Sequence, residues 1–436
     1  MADHKKLPLE GIRILDMTVV WAGTYCATLL ADLGAEVIRL ESIKRLPPIT
    51  RGYIPYPPKE VIEGLPAFVA AMPGREPGKR PWNRYPLFNA HGRNKLGITV
   101  DLTQPSGMDI FKRLVAVSDA FVENNVTETM DKLGISYEMM RDINPRIVML
   151  RMPAYGNTGA YRNFRSLGVH MEGVIGHTIV RGYEDMDQSS STNVYAADAA
   201  GGAQGAFAML AALHFRKRTG KGQLIELAQA ENMISYTGQF FMDYAMNGRD
   251  SGTIGNRHTS AVQGCYPCAG DDRWVNITLY DDDNWAAFRN TIGSPAWTDD
   301  DRFATHSARY ENQRALDAHI ADWTRRHDHY EVMHCLQAVG IAAGPVMDQR
   351  DAFADPHLQE RGMFEEVYHE DVDGSHLYVG APYKMSDMPI TIRSGPVQLG
   401  ADNEYVYKKV LGVSDKEYAE FERMGHIGMD FPRDKE

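Results

Sequence analysis

The sequence has 436 residues, of which 43% are hydrophobic and 24% charged, and its formal net charge is −12. This length gives room for two or three domains, and the acidic excess argues against nucleic acid or an anionic membrane as the main partner. The N-terminal segment MADHKKLPLEG lacks the apolar run of a signal peptide, and no segment has the apolar length of a membrane span, so we expect a cytoplasmic protein. Four cysteines are too few for a disulfide scaffold, and we expect no metal site.

The first third of the chain alternates between short apolar runs and helical patterns. This alternation predicts a Rossmann-like, doubly wound α/β domain. No GxGxxG sequence follows the first strand, so the usual pyrophosphate loop is missing. The predicted elements, in chain order, are a strand at 12–18, a helix at 22–35, and strands at 36–42, 95–102, 120–124 and 146–153, with a helix from Thr103 to Val117 before the fourth strand.

A proline-rich segment separates the second and third predicted strands. Residues 47–86 hold ten of the 22 prolines of the chain. A connection this long is usually functional or disordered, and aromatic residues favour order. We therefore predict an ordered lid, whose aromatic residues are Tyr53, Tyr56, Phe68, Trp82 and Tyr85.

The second half of the chain predicts a smaller domain and a return to the first. We expect a long helix from Ala230 to Gly248, and then a change of character to short strands and amphipathic helices. The predicted domain organisation is a large α/β domain at 1–225, a linker helix at 226–251, a small α+β domain at 252–340 and a return segment at 341–436 that completes the large domain.

A single carboxylate, Asp198, stands in the stretch NVYAADAAGGAQGAF. Asp is a favoured N-cap residue, because its carboxylate accepts hydrogen bonds from the first turn of a helix. A helix from about Ala199 to Arg216 would take Asp198 as its cap. The local pattern alone therefore predicts a structural role for this residue.

Several segments, in order and spacing, resemble the class III coenzyme A-transferases, the family that includes formyl-CoA transferase. They are LPLEGIRILDMTVVWAGTYCATLLADLGAEVIRLE, RNKLGITVDLTQPSG, VENNVTETMDKLGISYE, NPRIVMLRMPAYGNTG and VGIAAGPVMDQRDAFADPHLQERGMF. The distance from Asp198 to the sequences AAL and RTGKGQ also matches the family. The resemblance implies that Asp198 is the nucleophile, kept ionised by its helix-terminal position. It would attack an acyl-CoA thioester to form an anhydride and then an aspartyl-CoA thioester. Ala197, Ala199, Ala200, Gly201 and Gly202 would give the thioester clearance.

The resemblance also implies which residues bind the substrates. A CoA thioester is expected as substrate, with no tightly bound cofactor. Trp21 stands where formyl-CoA transferase has Gln, which favours a bulkier acceptor acid, aromatic or a substituted succinate, with succinyl-CoA as donor. Tyr53 matches an aromatic gate, and His258 is either a substrate contact or a structural residue. The residues expected to contact CoA are Lys95, Arg51, Lys44, Arg45, Lys132 and Asn125.

Two alternatives stay open at this point. One is an α-methylacyl-CoA racemase, which needs a His opposite the Asp. The alignment puts Leu167 or Gly168 at that position, with His170 offset by about three residues. The other is a catalytically silent subunit that binds CoA or a partner chain. The resemblance implies an interlocked dimer, either a homodimer or a hetero-oligomer with a paralogous subunit.

Overall fold

The computed structural model describes residues 6–47, 49–66, 71–190 and 194–433, so Phe68 lies outside the described residues. The strands are, in chain order, β1 (Arg13–Met17), β2 (Glu36–Glu41), β3 (Lys95–Thr99), β4 (Ala120–Glu123), β5 (Val148–Arg151), β6 (Gln223–Glu226), β7 (Val262–Pro267), β8 (Trp274–Leu279), β9 (Ala342–Val346), β10 (Phe364–His369) and β11 (Gly374–Val379).

The α-helices divide into those before and those after strand β6. The first group is α1 (Ala22–Asp32), α2 (Lys59–Gly64), α3 (Pro86–Asn89), α4 (Pro105–Ala116), α5 (Thr127–Leu133), α6 (Tyr137–Ile143), α7 (Gly168–Val174) and α8 (Ala196–Thr219). The second group is α9 (Gln229–Ile234), α10 (Gly238–Asn247), α11 (Asp282–Thr291), α12 (His306–Glu311), α13 (Gln313–Thr324), α14 (His329–Gln337), α15 (Gln349–Ala354), α16 (Pro356–Glu360) and α17 (Asp415–Arg423).

The central sheet of the larger unit is parallel and has the strand order β3-β2-β1-β4-β5-β6. Its inner strands are apolar on both faces because helices cover both, and Ile14, Leu15 and Val122 are fully buried. The predicted α/β fold is confirmed. The order reverses direction between β1 and β4, which is where open α/β sheets bind ligands, outside the carboxyl ends of the strands.

The C-terminal segment packs on the outer strand β3 of this sheet. Asp402 accepts a hydrogen bond from the Gly97 N–H at 2.8 Å, and Asn403 accepts one from the Thr99 N–H at 2.9 Å. Strands β10 and β11 form an antiparallel hairpin before this contact. Side chains of the returning chain therefore satisfy backbone groups at the sheet edge.

The described part of the proline-rich segment packs inside the larger unit. It forms α2 and two short 3₁₀ turns, and the rings of Trp82 and Tyr85 are buried. Trp82 packs edge-on against Phe431 from the C-terminal segment, with ring centroids 5.0 Å apart. The aromatic residues anchor the segment, because each one removes a large apolar area from water.

The smaller unit is built around an antiparallel sheet of order β7-β8-β9. Helices α11, α13 and α14 contribute side chains to its core. That core is apolar and aromatic, and its largest members are Trp285, Phe288, Phe303, Leu316 and Leu336.

The borders of the units differ from the predicted domain borders. The larger unit comprises the described parts of residues 1–177, 193–239 and 360–436, and the smaller unit those of 178–192 and 240–359. Residues 341–359 belong to the smaller unit because β9 pairs with β8. The single helix predicted from Ala230 to Gly248 is wrong in detail, since a 3₁₀ turn at Ser235–Thr237 separates α9 from α10.

Across the described residues, the helices are all too short or too polar to cross a membrane.

Candidate active site

Asp198 lies in the first turn of α8, which begins at Ala196. The cap position of that helix is taken by Tyr195, in the left-handed region at φ 53°. The prediction that Asp198 caps its own helix is therefore wrong. The helix begins three residues earlier than its apolar pattern suggests, so that the carboxylate projects from inside the helix, only 8% exposed.

The Asp198 carboxylate instead satisfies another helix. It accepts a hydrogen bond from the N–H of Ala22, the first residue of α1. The cap residue of α1, Trp21, makes no side-chain hydrogen bond to the helix. The first N–H groups of a helix need an acceptor, and Asp198 supplies one across the interface between α8 and α1.

Gly168, the first residue of α7, faces the other side of the carboxylate. A Cβ atom built on Gly168 would lie 2.2 Å from Asp198 Oδ2, well inside van der Waals contact. Glycine is therefore required here for close approach of the backbone, and its own φ is not in the left-handed region. The carboxylate is held between the starts of α1 and α7.

The surroundings raise the pKa of Asp198 to about 6. Burial is the main cause, the nearby Glu172 carboxylate adds to it, and the Ala22 N–H opposes both. The helix-terminal position therefore does not keep the pKa at its ordinary value, because loss of water outweighs the hydrogen bond from the Ala22 N–H. At pH 7 roughly nine-tenths of the carboxylate is still ionised.

The glycines of α8 serve packing between helices. A Cβ on Gly202 would lie 2.7 Å from the Tyr25 ring and 2.8 Å from the Ala22 carbonyl oxygen. A Cβ on Gly205 would lie 2.8 Å from the Met152 sulfur. Gly202, with Ala200 and Gly201 before it, was predicted to give a thioester clearance. For Gly202 that prediction is corrected. Gly202 lets α8 approach α1 closely enough for Asp198 to reach the Ala22 N–H.

A cleft of about 570 Å³ opens at the carboxyl ends of β1, β2 and β4, at the reversal of strand order. Four cations and two carboxylates line it, an excess of positive charge in a chain of net charge −12. Three of the residues predicted to contact CoA line the cleft, and they are Lys44, Arg45 and Asn125. Arg165 also lines it and was not predicted from the sequence.

The loop between β1 and α1 forms one wall of this cleft and leads directly to Ala22. Its backbone N–H groups are already bonded to side chains of the protein. The Thr18 N–H donates to Asp16 at 2.9 Å, the Val19 N–H to Asn124 at 2.7 Å and the Val20 N–H to Thr50 at 2.9 Å. These three N–H groups are therefore not free to bind an anionic ligand in the cleft, which agrees with the missing GxGxxG sequence.

Lys95 and Arg51 lie beneath the cleft in a buried ionic network. Lys95 Nζ donates to Asp16 at 3.0 Å and to the Thr24 carbonyl at 2.9 Å. Arg51 binds Glu41 through two bonds of 2.7 Å. Both side chains are fully buried, so the prediction that they contact CoA is corrected to a structural role.

The network contains more positive than negative charge. Burial would raise the pKa of Asp16, but Lys95 and Arg39 beside it lower that pKa to about 2. Arg39 also lines the cleft and lies 3.3 Å from Glu41. The three cations Lys95, Arg39 and Arg51 thus surround the two carboxylates of Asp16 and Glu41 beneath the cleft. This excess of positive charge favours an anionic ligand above them.

Three other predicted residues lie elsewhere. Lys132 is 70% exposed, pairs with Glu128 at 2.7 Å and does not line the cleft, so its expected contact with CoA is not supported. Tyr53 is exposed, with its ring edge-on to the buried Tyr85. His258, in the smaller unit, accepts hydrogen bonds through Nδ1 from the N–H groups of Ser260 and Ala261, which is a structural contact.

Trp21 stands beside Asp198 in an aromatic cluster. Its ring stacks on His91 and contacts Tyr195, each with centroids 5.1 Å apart. Burial lowers the pKa of His91 to about 3, so this imidazole is neutral. The indole Nε1–H is shielded from solvent and has no hydrogen-bond partner among the described residues. The residues flanking Ala22 and Asp198 in sequence therefore form a largely apolar wall with one unused donor.

Comparison with known proteins agrees with this arrangement. The family model of CoA-transferase family III matches residues 9–403. A probable CoA-transferase of Mycobacterium tuberculosis is 30% identical over 417 residues, which are 94% of this chain but 49% of that relative, so the chain spans about half its length.

A second relative and a solved structure match over nearly their full lengths. Succinyl-CoA–D-citramalate CoA-transferase of Chloroflexus aurantiacus is 28% identical over 420 residues, 94% of this chain and 96% of the relative. The crystal structure of a CAIB/BAIF family protein from Brucella suis has a TM-score of 0.79 and 27% identity, covering 93% of this chain and 100% of that one.

Proposed function

The chain belongs to CoA-transferase family III, and from this premise we propose that it moves CoA from succinyl-CoA to a bulky carboxylic acid through covalent intermediates on Asp198. The observation that carries the proposal is the setting of Asp198. It is a buried carboxylate with a pKa of about 6, and it lies between the first residues of α1 and α7. The loop that leads into α1 lines a cleft with an excess of cationic side chains.

The chemistry follows from a carboxylate that is ionised but poorly solvated. An Asp198 oxygen attacks the thioester carbonyl carbon, the C–S bond breaks, and its electron pair leaves on the CoA sulfur as thiolate. The resulting anhydride persists only if the site keeps water out. The thiolate then attacks the Asp198 carbonyl carbon of the anhydride, which gives aspartyl-CoA and releases the donor acid as a carboxylate. The acceptor carboxylate attacks the aspartyl-CoA carbonyl carbon and displaces the thiolate, and the thiolate attacks the acceptor carbonyl carbon of the new anhydride, which gives the acceptor's CoA thioester and frees Asp198.

CoA fits the cleft by charge and position. Its phosphates would be bound by the side chains of Lys44, Arg45 and Arg165, since the loop N–H groups are occupied. The cleft wall passes from Val20 to Ala22 within two residues, so a thioester bound there is directed toward Asp198. The succinyl donor is suggested by the name of the Chloroflexus relative.

The aromatic wall suggests the class of acceptor. Trp21, His91 and Tyr195 form an aromatic cluster next in sequence or space to Ala22, the residue that bonds Asp198, and this apolar surface favours an aromatic or substituted-succinate acid over a small polar diacid. The unused Trp21 N–H could bind a second oxygen of such an acid. The gating role of Tyr53 belongs to the same proposal.

An exchange assay tests this function. Purified protein is incubated with succinyl-CoA and a panel of acids, and acyl-CoA products are measured by mass spectrometry. We expect transfer to aromatic or substituted-succinate acids with kcat/KM at least about tenfold above that for oxalate. Absence of any CoA transfer across the panel would contradict the proposal. Loss of α-deuterium from a chiral 2-methylacyl-CoA without acceptor would establish the racemase instead.

The local geometry gives the racemase no support. Gly168 faces Asp198 and has no side chain, and Leu167 is 37% exposed. His170 is exposed and accepts a hydrogen bond through Nδ1 from the Leu167 N–H. A racemase base would have to stand opposite Asp198 at this place.

We propose that the active protein is a dimer of two copies of this chain. Helix α10 has no buried residue, although most of its side chains are apolar. Such a surface is usually covered by a partner. The exposed apolar residues of α10 are Phe241, Met242, Tyr244 and Met246.

Light scattering after gel filtration tests the assembly. We expect a mass near twice the chain mass of 48.8 kDa, stable on dilution. A monomer that is fully active in the exchange assay would contradict the dimer. A monomer without activity that gains activity on adding a paralogous chain would indicate the hetero-oligomer.

A further inference from the structure

A pair of stacked aromatic rings lies on the surface of the loop that joins β5 to α7. The rings of Tyr161 and Phe164 have centroids 4.8 Å apart and planes within 23° of parallel. Tyr161 is 50% exposed and Phe164 is 55% exposed. Because Tyr161 covers only one face of the Phe164 ring, the exposed part of Phe164 offers a flat apolar surface to a second ring.

One turn and two side-chain contacts fix the position of this pair. The Phe164 N–H donates to the Tyr161 carbonyl at 2.8 Å, which closes a turn and brings the two rings together. Arg162, between them, donates to Asp131 of α5 at 3.0 Å. Tyr155 packs edge-on against Tyr161, with centroids 5.9 Å apart. The rings are therefore held in place before a ligand binds, which lowers the entropy lost on binding.

The same loop runs along the cationic cleft toward the nucleophile. Arg165 and Ser166, which directly follow Phe164, line the cleft. Gly168, four residues after Phe164, packs against the Asp198 carboxylate. Four residues span at most about 14 Å. The chain of atoms that joins the adenine of CoA to its sulfur is longer than the backbone of four residues. One CoA molecule can therefore contact Phe164 with its base while its thioester reaches Asp198.

The cleft offers cations for phosphate groups but no ring for a base. Its lining includes Lys44, Arg45 and Arg165, and within the described part of the chain none of the lining residues is aromatic. The base and the phosphates of a nucleotide are joined through one ribose, so the base lies close to the cations that bind the phosphates. Phe164 is the aromatic residue next to such a cation, and an aromatic ring beside an arginine suits a base with its phosphate.

We propose that Phe164, supported by Tyr161, stacks on the adenine ring of CoA, so that this chain recognises the nucleotide half of its thioester substrate. The inference rests on the proposed function. Stacking of a base on an aromatic side chain contributes about ten- to hundredfold in affinity. Phe164 is remote from the reacting atoms and makes the same contact in the ground state and the transition state. Its contribution therefore falls on KM and not on kcat.

Direct binding of a nucleotide tests the contact without activity. The probe is adenosine 3′,5′-bisphosphate, a fragment of CoA that holds the adenine, and its Kd is measured by isothermal titration calorimetry. Phe164→Ala should raise the Kd about tenfold or more, and Phe164→Tyr, which keeps a flat ring, should keep it within about twofold. Tyr368→Ala removes an exposed ring of β10 that does not line the cleft, and as the control it should leave the Kd unchanged.

Kinetics with two donors separate a contact to adenine from a general effect on the loop. In Phe164→Ala we expect the KM for succinyl-CoA to rise about tenfold with kcat nearly unchanged. The kcat/KM for succinyl-pantetheine should stay at the wild-type value, because this donor has no adenine. Displacement of Gly168 by a disturbed loop would instead lower kcat/KM for both donors, and equal losses would overturn the inference.

The remaining outcomes are distinct. Wild-type protein that does not bind the bisphosphate overturns the inference, and so does an unchanged Kd in Phe164→Ala. A changed mass of that variant in light scattering, with the Kd unchanged, would assign the aromatic pair to an interface between chains. If Phe164→Ala does not fold, Phe164→Leu, which keeps apolar bulk without a flat ring, decides by the same Kd. If the Kd rises as expected but wild-type protein transfers no CoA, the proposed function fails and the adenine contact stands.

Discussion

Replacing Asp198 with Asn is expected to lower the CoA-exchange rate by at least about a thousandfold, because an amide cannot form the anhydride. The substitution preserves the size of the side chain and its ability to accept from the Ala22 N–H. Hydroxylamine added during turnover of the wild-type protein should convert the aspartyl-CoA thioester to a hydroxamate at Asp198, detected by peptide mass spectrometry. Wild-type turnover without any modified Asp198 would contradict the covalent mechanism.

Stability measurements separate this loss of activity from unfolding. The folded pKa of Asp198, about 6, is above its ordinary value of 3.8, so the anion destabilises the folded state at any pH above 6. The cost grows as the pH rises from about 4 to about 6, is about 3 kcal/mol at neutral pH and disappears below pH 4. Asp198→Asn should therefore melt at the wild-type temperature or above it at pH 7. Asp142→Asn, an exposed substitution on α6, serves as the control and should leave both activity and melting unchanged.

Replacing Gly168 with Ala is expected to lower activity by about a hundredfold while the fold is retained. The added methyl group would lie 2.2 Å from Asp198 Oδ2 and 3.2 Å from its carboxyl carbon. Rotation of the carboxylate is the cheapest response, and it would pull the oxygen away from the Ala22 N–H and the attack geometry. The exchange assay and the yield of hydroxylamine-trapped Asp198 should fall together.

Helix α7 supplies a matched control for this substitution. A Cβ on Gly173 would meet no atom within 4 Å, and Gly173 is exposed. Gly173→Ala therefore adds the same methyl group to the same helix without touching Asp198, and it should raise helix stability slightly. Full activity in Gly168→Ala would mean that the carboxylate is not held as the structure indicates. Equal losses in both variants would point to a general effect on α7.

The α/β class and five of the six strands of the parallel sheet were predictable from local sequence, and the short edge strand β6 was missed. Buried parallel strands are continuous apolar runs. Ile14, Val122 and their neighbours can therefore be recognised as strand residues without knowing which strands they pair with. Strand ends were less predictable: β3 stops at Thr99, three residues before the apolar pattern does. The missing GxGxxG sequence agrees with a loop between β1 and α1 whose N–H groups at Thr18, Val19 and Val20 are bonded to side chains of the protein.

The residues that line the cleft were predictable only in part. Lys44 and Arg45 follow β2, so chain order alone brings them to the cleft. Lys95 and Arg51 could not be told from surface cations, because burial is a property of the packed chain. The sequence around Arg165 shows only one cation in a polar segment, which is a weak indication of a binding residue. Glu172 is marked only as a charged residue in an apolar pattern.

The sequence by itself determined the family and singled out Asp198, because the segments around this residue keep recognisable residue types at a recognisable spacing. It also indicated that a helix start needed this carboxylate, but not which helix. Only the tertiary structure decided that the helix is α1, that Gly202 allows the approach, that Gly168 lies against the Asp198 carboxylate, and that Glu172 bonds the preceding residue, Ala197. The physical reason is that hydrogen-bond partners, loss of water and charge repulsion act over a few ångströms in space. The chain brings together there residues that are about 30 to 180 positions apart in sequence.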